Sequence, residues 1–184
     1  MKHVIIAGTC RSGKTTLSIR LNQIGFNHYK MDTIKRAMCD IMNLDGHNWD
    51  YMSYIMYNMI NRMIEENKTD TVYGKEKYVI DTCHLLPKDI KNINTNNALI
   101  VYLGYSKITN EEYLEIMRKY DKKNYWSSKL NDVDLLNMIS ANINYSKYIK
   151  EECKKLNIKY FDTSYDRDKT LDEAYQYILK KCEV

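Results

Sequence analysis

The chain has 184 residues, of which 44% are hydrophobic and 28% are charged, so it is long and apolar enough to bury the core of one globular domain. Lys and Arg outnumber Asp and Glu by 28 − 24 = 4. That mild excess is compatible with phosphorylated ligands and too small to indicate nucleic-acid binding, so we expect a single domain over 1–184 without a nucleic-acid partner.

The five cysteines are far apart, and no two of them form a C-x-x-C pair; they are Cys10, Cys39, Cys83, Cys153 and Cys182. Their spacing is that of neither a zinc site nor a disulfide framework, which favours a reducing compartment. The apolar stretch 4–7 is shorter than the roughly 7–15 residues of a signal-peptide core. No apolar run approaches the roughly 20 residues of a membrane span. We therefore expect a cytoplasmic protein that does not enter a membrane.

Short apolar runs alternate with helical periodicity along the chain, and this alternation predicts an α/β fold with a parallel sheet. The predicted strands are His3–Ala7, Phe26–Met31, Tyr78–Ile80, Ala98–Leu103 and Ile158–Phe161. Between them we predict a helix that ends near Gly25 and the helices Thr33–Asn43, Trp49–Glu66, Glu111–Tyr120 and Val133–Leu156. A last helix is predicted to start at a capping box, Thr170–Glu173.

The first strand leads directly into a complete G-x-x-x-x-G-K-T motif. The motif and the next residue are Gly8, Thr9, Cys10, Arg11, Ser12, Gly13, Lys14, Thr15 and Thr16. Such a loop folds its backbone N–H groups around phosphate oxygens, and the helix that follows directs its positive dipole end at the same anions. We expect Lys14 to contact the β- and γ-phosphates, Thr15 to ligate Mg²⁺ and Thr16 to contact the α-phosphate. The sequence predicts that the loop binds a nucleoside triphosphate, and the choice between ATP and GTP stays open.

Two aspartates follow the second and third predicted strands, at the sheet edge where open α/β folds bind ligands. Asp81 is a candidate Mg²⁺ ligand; the alternative is an ordinary turn aspartate. Asp32 is a candidate catalytic and substrate-binding group that accepts the proton of an acceptor hydroxyl, with Arg36 or Lys35 pairing an anionic part of the acceptor. The alternative for Asp32 is the N-cap of the next helix, and both interpretations stay open.

With these residues in this order, the chain resembles the P-loop kinases of small molecules, which include adenylate, gluconate and shikimate kinases. The resemblance implies a five-stranded parallel sheet in the order 2-3-1-4-5, a helical acceptor region at about 33–76 and a lid at about 118–132. It implies that basic lid residues act on the transferred phosphoryl group; the candidates are Arg118, Lys119, Lys122 and Lys123. The segment 162–165 resembles the loop that borders adenine in these kinases.

The chain departs from the adenylate kinases after the third strand, where they carry a Gly-Phe-Pro-Arg-like stretch. Here the segment 81–87 is Asp-Thr-Cys-His-Leu-Leu-Pro, which does not favour a nucleoside monophosphate as acceptor. His84 in this segment is a candidate substrate contact.

The function predicted from the sequence is a phosphotransferase that uses ATP and Mg²⁺ and a small-molecule acceptor of unknown identity. Lys14 and Arg118 would neutralise developing charge, and Asp32 would orient or deprotonate the acceptor. One alternative is a nucleotide-dependent ATPase or switch without a small acceptor. Another is a toxin-like kinase that modifies a sugar nucleotide or an antibiotic. The oligomeric state is open.

Overall fold

The computed structural model describes residues 2–69, 76–120, 127 and 130–183 of the chain. Within these ranges the strands are β1 (His3–Gly8), β2 (Phe26–Lys30), β3 (Lys77–Thr82), β4 (Ala98–Gly104) and β5 (Lys159–Asp162). The helices are α1 (Lys14–Asn22), α2 (Met31–Met42), α3 (Trp49–Thr69), α4 (Asn110–Tyr120), α5 (Asp132–Lys155) and α6 (Arg167–Cys182). A short 3-10 helix, Pro87–Asn92, lies between β3 and β4.

The five strands form one parallel sheet in the order β2-β3-β1-β4-β5, as predicted. β1 is the central strand: Val4 lies opposite Val79 of β3 and Leu99 of β4. All six residues of β1 are buried, because helices cover both faces of the sheet. A strand buried on both faces has a continuous apolar sequence, which is why the run 4–7 could be recognised.

Hydrophobic side chains of alternate strand residues enter separate cores on the two faces of the sheet. Ile5 and Ile80 pack on one face with Met56 of α3 and Ile149 of α5. On the opposite face α1 and α6 cover the strands through Leu17, Leu21, Leu171, Ala174 and Ile178. A third cluster joins α4 to α5. Each helix thus has one buried side, and the loops at the ends of the strands are held at fixed positions.

Several predicted element boundaries differ from the structure by one to three residues, and two of these differences change the interpretation of a residue. Met31 was assigned to the second strand, but it is the first residue of α2 and is fully buried there. The last helix does not start at a Thr170 capping box. It begins at Arg167, and Asp166 caps it by accepting a hydrogen bond from the backbone N–H of Lys169. Asp is as good an N-cap as Thr, and here an earlier residue takes that position.

The long helices α3 and α5 have 21 and 24 residues, which is enough to cross a bilayer by length alone. Both carry polar and charged residues throughout their length. Among the helices of the described ranges, none is apolar enough over that length to be a candidate for a membrane span.

Gly8 fixes the junction between β1 and the loop that follows. Its φ is +132°, and a Cβ built on it would lie 1.9 Å from the backbone oxygen of Leu103 in β4. Gly25 also has a positive φ, of +97°, but a Cβ there would meet nothing within 4 Å. A side chain at Gly25 would therefore meet only the strain of a left-handed backbone. A side chain at Gly8 would meet this strain and also a steric clash with the neighbouring strand β4.

We expect Gly8→Ala to destabilise the fold by about 4 kcal/mol or more, because a central strand would have to move. We expect Gly25→Ala to cost only about 1–2 kcal/mol, which is the strain of the left-handed backbone. Urea denaturation of both variants measures the difference. Equal losses of unfolding free energy would contradict the close approach of β1 and β4.

Candidate functional site

The loop between β1 and α1 closes around the backbone oxygen of Thr9. That oxygen accepts hydrogen bonds from the Ser12 N–H at 3.4 Å, the Ser12 hydroxyl at 2.9 Å and the Lys14 ammonium at 2.6 Å. The turn needs left-handed backbone at Arg11 and Gly13, with φ of 62° and 99°. Gly13 is the N-cap of α1, and no side chain caps the first turn. The N–H groups at this helix end are therefore suited to an anion.

Two tyrosines hydrogen-bond to this loop, Tyr105 just after β4 and Tyr113 in α4. The Tyr105 and Tyr113 hydroxyls both donate to the backbone oxygen of Cys10, at 2.8 and 3.3 Å, and their rings stack at 4.3 Å. Burial raises the pKa of Tyr113 to about 12 and the pKa of Tyr105 well above its usual value. Both phenols therefore keep the protons that they donate. The sequence interpretation missed them, because tyrosine is abundant throughout this chain.

The Lys14 side chain is 5% exposed and lies at the centre of the site. Its Nζ is 2.6 Å from the Thr9 oxygen and 3.1 Å from the Cys83 sulfur. Burial disfavours the ammonium, but nearby Cys83, Cys10 and Asp32 outweigh it and raise the pKa of Lys14 above its ordinary value. Lys14 is therefore a permanent buried cation.

Asp32 lies in the first turn of α2, but it does not cap the helix. The N-cap is Lys30, and no side chain hydrogen-bonds at this helix start, so the alternative of a helix cap was wrong. The carboxylate instead reaches across to the turn after β3. It accepts from the Cys83 N–H at 3.1 Å, contacts the Cys83 sulfur at 3.2 Å and lies 3.3 Å from Nδ1 of His84.

These contacts keep Asp32 ionised. Partial burial would raise its pKa, but the His84 hydrogen bond, the Lys14 charge and the hydrogen bond from the Cys83 N–H together hold the pKa of Asp32 well below its usual value. Lys14 and Asp32 contact the same Cys83 sulfur from different sides. The structure therefore brings a buried cation and an ionised carboxylate to adjacent positions at the carboxyl edge of the sheet.

Cys83, which joins these groups, was not recognised from the sequence as a site residue. Its signal was only its position, two residues after Asp81 at the end of a predicted strand. Trp49 also lies at this site: its ring stacks on His84 at 4.9 Å and packs against Tyr145 at 4.7 Å. The Tyr145 hydroxyl is buried and has no hydrogen-bond partner among the residues that the structure describes. Together these residues form an aromatic wall beside the Asp32 carboxylate.

Asp81 lies at the end of β3 but on the α1 side of the sheet. It is the register partner of Ile6, which packs beneath α1. Asp81 is 1% exposed, and Nε2 of His28 lies 3.0 Å from its Oδ2. Thr15 is partly buried in the first turn of α1. Hydroxyl and carboxylate oxygens are the ligands that Mg²⁺ prefers, so the donor chemistry of Thr15 and Asp81 fits the metal.

Thr16 has a partner that the sequence interpretation missed. Its hydroxyl accepts a hydrogen bond of 3.0 Å from Arg167, the first residue of α6. The segment 162–165 precedes α6 and is tied down by Asp162, which contacts Lys150 at 3.0 Å and both Ser106 and Ser164. The segment predicted to border adenine is therefore held by hydrogen bonds at Asp162, and Arg167, which follows it, contacts Thr16 of the first helix.

The remaining predicted residues are further from this cluster. Arg36 is exposed on α2. The Arg118 guanidinium is 61% exposed and pairs with Asp132 at 3.0 Å, at the start of α5. Arg11 of the phosphate loop donates to the hydroxyl of Ser127, at 2.8 Å, within the predicted lid. The lid candidates Lys122 and Lys123, and the side chain of Lys119, lie outside the described residues.

Comparison with known proteins rests on structure, because no protein-family model and no curated protein sequence matches the chain. A gluconokinase from Sinorhizobium meliloti has a TM-score of 0.58 at 11% identity, and the match covers 99% of this chain and 94% of that one. A shikimate kinase from Bacteroides thetaiotaomicron has a TM-score of 0.54 at 14% identity, with 100% and 99% covered. A sugar kinase from Janibacter has a TM-score of 0.53 at 12% identity, with 97% and 94% covered.

These matches extend over nearly the whole of each chain, so the similarity is one of overall fold. At this level of identity they show the fold alone. The chain has the P-loop kinase-like α/β fold that these small-molecule kinases share.

Proposed function

We propose that the protein is a kinase that transfers the γ-phosphoryl group of ATP to a hydroxyl group of a small molecule. The observation that carries the proposal is the cluster at the carboxyl edge of the sheet. There the loop lysine Lys14 and the carboxylate of Asp32 contact the same Cys83 sulfur, with His84 beside them. A cation for phosphates and an ionised carboxylate for an acceptor are the two charges that phosphoryl transfer requires side by side.

The nucleotide half of the proposed site is the loop 8–16. Its backbone N–H groups and the start of α1 would hold the phosphates, with Lys14 on the β- and γ-phosphates. Thr15 and Asp81 would hold Mg²⁺, which neutralises phosphate charge when it is bound. Thr16 and its partner Arg167 would lie beside the α-phosphate, and the segment 162–165 would border the base.

The acceptor half is the wall of Trp49, His84 and Tyr145 next to Asp32. A flat aromatic surface suits the apolar face of a ring, and the buried Tyr145 hydroxyl can hydrogen-bond a polar group of the acceptor. The structural neighbours named for gluconate, shikimate and sugars support a small polyhydroxylated acceptor. A panel of sugars, sugar acids, nucleosides and nucleotides tested by thermal shift is the direct route to its identity.

We infer that Asp32 orients the acceptor hydroxyl rather than acting as a strong base. A carboxylate with a lowered pKa is a weak proton acceptor. The loose transition state of phosphoryl transfer requires little removal of the hydroxyl proton before the phosphoryl group moves. A hydrogen bond from the hydroxyl to Asp32 would aim the oxygen at the γ-phosphate, and the Lys14 ammonium would neutralise the charge that develops there.

Lys14→Met tests the nucleotide half, because it keeps most of the side-chain volume and removes the charge. We expect ADP formation from MgATP to fall at least about a hundredfold, since a charged donor aimed at the transferring group is lost. Lys154→Met, at an exposed position near the end of α5, is the matched control. Titration calorimetry and ADP release measure the outcome. Unaltered affinity and turnover in Lys14→Met would contradict the proposal.

Asp32→Asn tests the acceptor half. We expect transfer to an acceptor found in the panel to fall at least about a hundredfold, because the hydroxyl loses its charged partner. MgATP affinity should be kept or increased, because an anion near Lys14 has been removed. Asp50→Asn, on the exposed surface of α3, is the control. Normal transfer with Asp32→Asn would exclude a role of Asp32 in binding the acceptor. Loss of nucleotide binding alone would show that Asp32 acts on the nucleotide instead.

The ionised state of Asp32 can be tested through stability. Since its folded pKa is lowered, its ionised form stabilises the fold above the unfolded pKa of about 3.9, and this contribution is lost as the pH falls through the folded value. Wild type should therefore exceed Asp32→Asn in unfolding free energy at about pH 6, and the difference should shrink towards about pH 3. Urea denaturation across this range measures it. A difference that stays constant would show that Asp32 has an ordinary pKa.

A further inference from the structure

Two thiols from distant parts of the sequence meet inside the phosphate site. The sulfur of Cys10, in the loop after β1, lies 3.5 Å from the sulfur of Cys83, in the turn after β3. β1 and β3 are neighbouring strands, so the sheet itself holds these two turns side by side. All five cysteines of the chain are free, and no other pair among them has a sulfur–sulfur contact of this kind in the structure.

The two thiols differ in a way that suits sequential oxidation. Cys10 is partly exposed, whereas Cys83 is 4% exposed and contacts both Lys14 and Asp32. A hydrogen bond from Cys83, together with the Lys14 charge, outweighs burial and lowers the pKa of Cys10 to about 6. An accessible thiolate beside a buried thiol is the usual arrangement of an attacking and a resolving cysteine.

We propose that Cys10 and Cys83 form a redox modification site, at which a hydroperoxide converts the two thiols into a disulfide that closes the phosphate loop to MgATP. The disulfide itself follows from the geometry of the pair. Its effect on nucleotide binding rests on the function proposed above.

The reaction balances with the hydroperoxide as the only oxidant. The Cys10 sulfur attacks the O–O bond, which breaks, and a sulfenic acid and an alcohol (or water from hydrogen peroxide) are formed. The Cys83 sulfur then attacks the sulfenic sulfur, the S–S bond forms, and the hydroxyl leaves as water with the Cys83 proton. Two thiols and one peroxide thus give one disulfide, one alcohol and one water, and a dithiol reductant reverses the change.

Closing the bond changes the site where phosphates would bind. The sulfurs must approach from 3.5 Å to about 2.05 Å, which pulls the loop residue Cys10 towards the end of β3. The disulfide has neither the Cys83 proton nor the Cys10 thiolate charge, so Lys14 loses the stabilisation that this thiolate gives it. Displacements of about 1 Å in such sites cost up to about a hundredfold in rate. We expect the oxidised protein to bind MgATP at least about tenfold more weakly than the reduced protein, because the loop N–H groups and Lys14 are both moved.

The experiment uses the full chain treated with a stoichiometric amount of hydrogen peroxide. Remaining thiols are blocked with iodoacetamide, peptides are mapped by mass spectrometry without reduction, and MgATP affinity is measured before and after oxidation and after dithiothreitol. The expected result is a cross-linked peptide pair containing Cys10 and Cys83, with weakened MgATP binding that the reductant restores. Cys39→Ser, which changes a partly exposed thiol elsewhere on α2, should give the same cross-link and the same loss.

Each outcome decides the question. A Cys10 that is oxidised further without a link to Cys83, or a link between other cysteines, would overturn the modification site. A Cys10–Cys83 link that leaves MgATP affinity unchanged would overturn its effect on the phosphate loop. The protein could also form the link on oxidation but fail to bind MgATP even when it is reduced. That result would overturn the proposed kinase function and leave the dithiol site standing.

Discussion

The buried charge of Lys14 is the constraint on which the rest of the site depends. An ammonium that is 5% exposed is tolerated only where hydrogen-bond acceptors and opposite charge surround it. The Thr9 backbone oxygen, the Cys83 sulfur and the Asp32 carboxylate provide this compensation, and they come from the loop after β1, the turn after β3 and the first turn of α2. Three segments are therefore tied to one cation.

Much of the fold was predictable because its signals are local. The strand β1 is buried on both faces and leads into a loop whose glycines take left-handed backbone, so the run 4–7 and the motif 8–15 located the turn between β1 and α1. The placement of Asp32 and Asp81 near one edge of the sheet was predictable for a geometric reason: the carboxyl ends of parallel strands lie at one edge. Their positions followed from the strand order, while their metal and acceptor roles stay predictions.

The partners of these residues could not be predicted, because each contact joins segments far apart in the sequence. Cys83 is 51 residues from Asp32 and 69 from Lys14, and Arg167 is 151 from Thr16. No local pattern marks such a pair. A more common local interpretation also favoured a different role for some of these residues. A carboxylate at the start of a helix indicates an N-cap, yet the Asp32 side chain has stronger partners across the sheet than the N–H groups of its own helix. Abundant tyrosine likewise concealed the two phenols that hold Cys10.

The same cation links the two proposals. Lys14 stabilises the thiolate form of Cys10, and in the proposed function it also binds the β- and γ-phosphates. A polyphosphate bound in the loop would add negative charge next to Cys10 and engage the ammonium, and both changes raise the pKa of the thiol and slow its attack on a peroxide. Coupling between two equilibria is reciprocal. If bound nucleotide disfavours the Cys10 thiolate, the thiolate weakens nucleotide binding by the same free energy. Occupancy by nucleotide would then protect the dithiol, so that the nucleotide-free protein is the form open to oxidation.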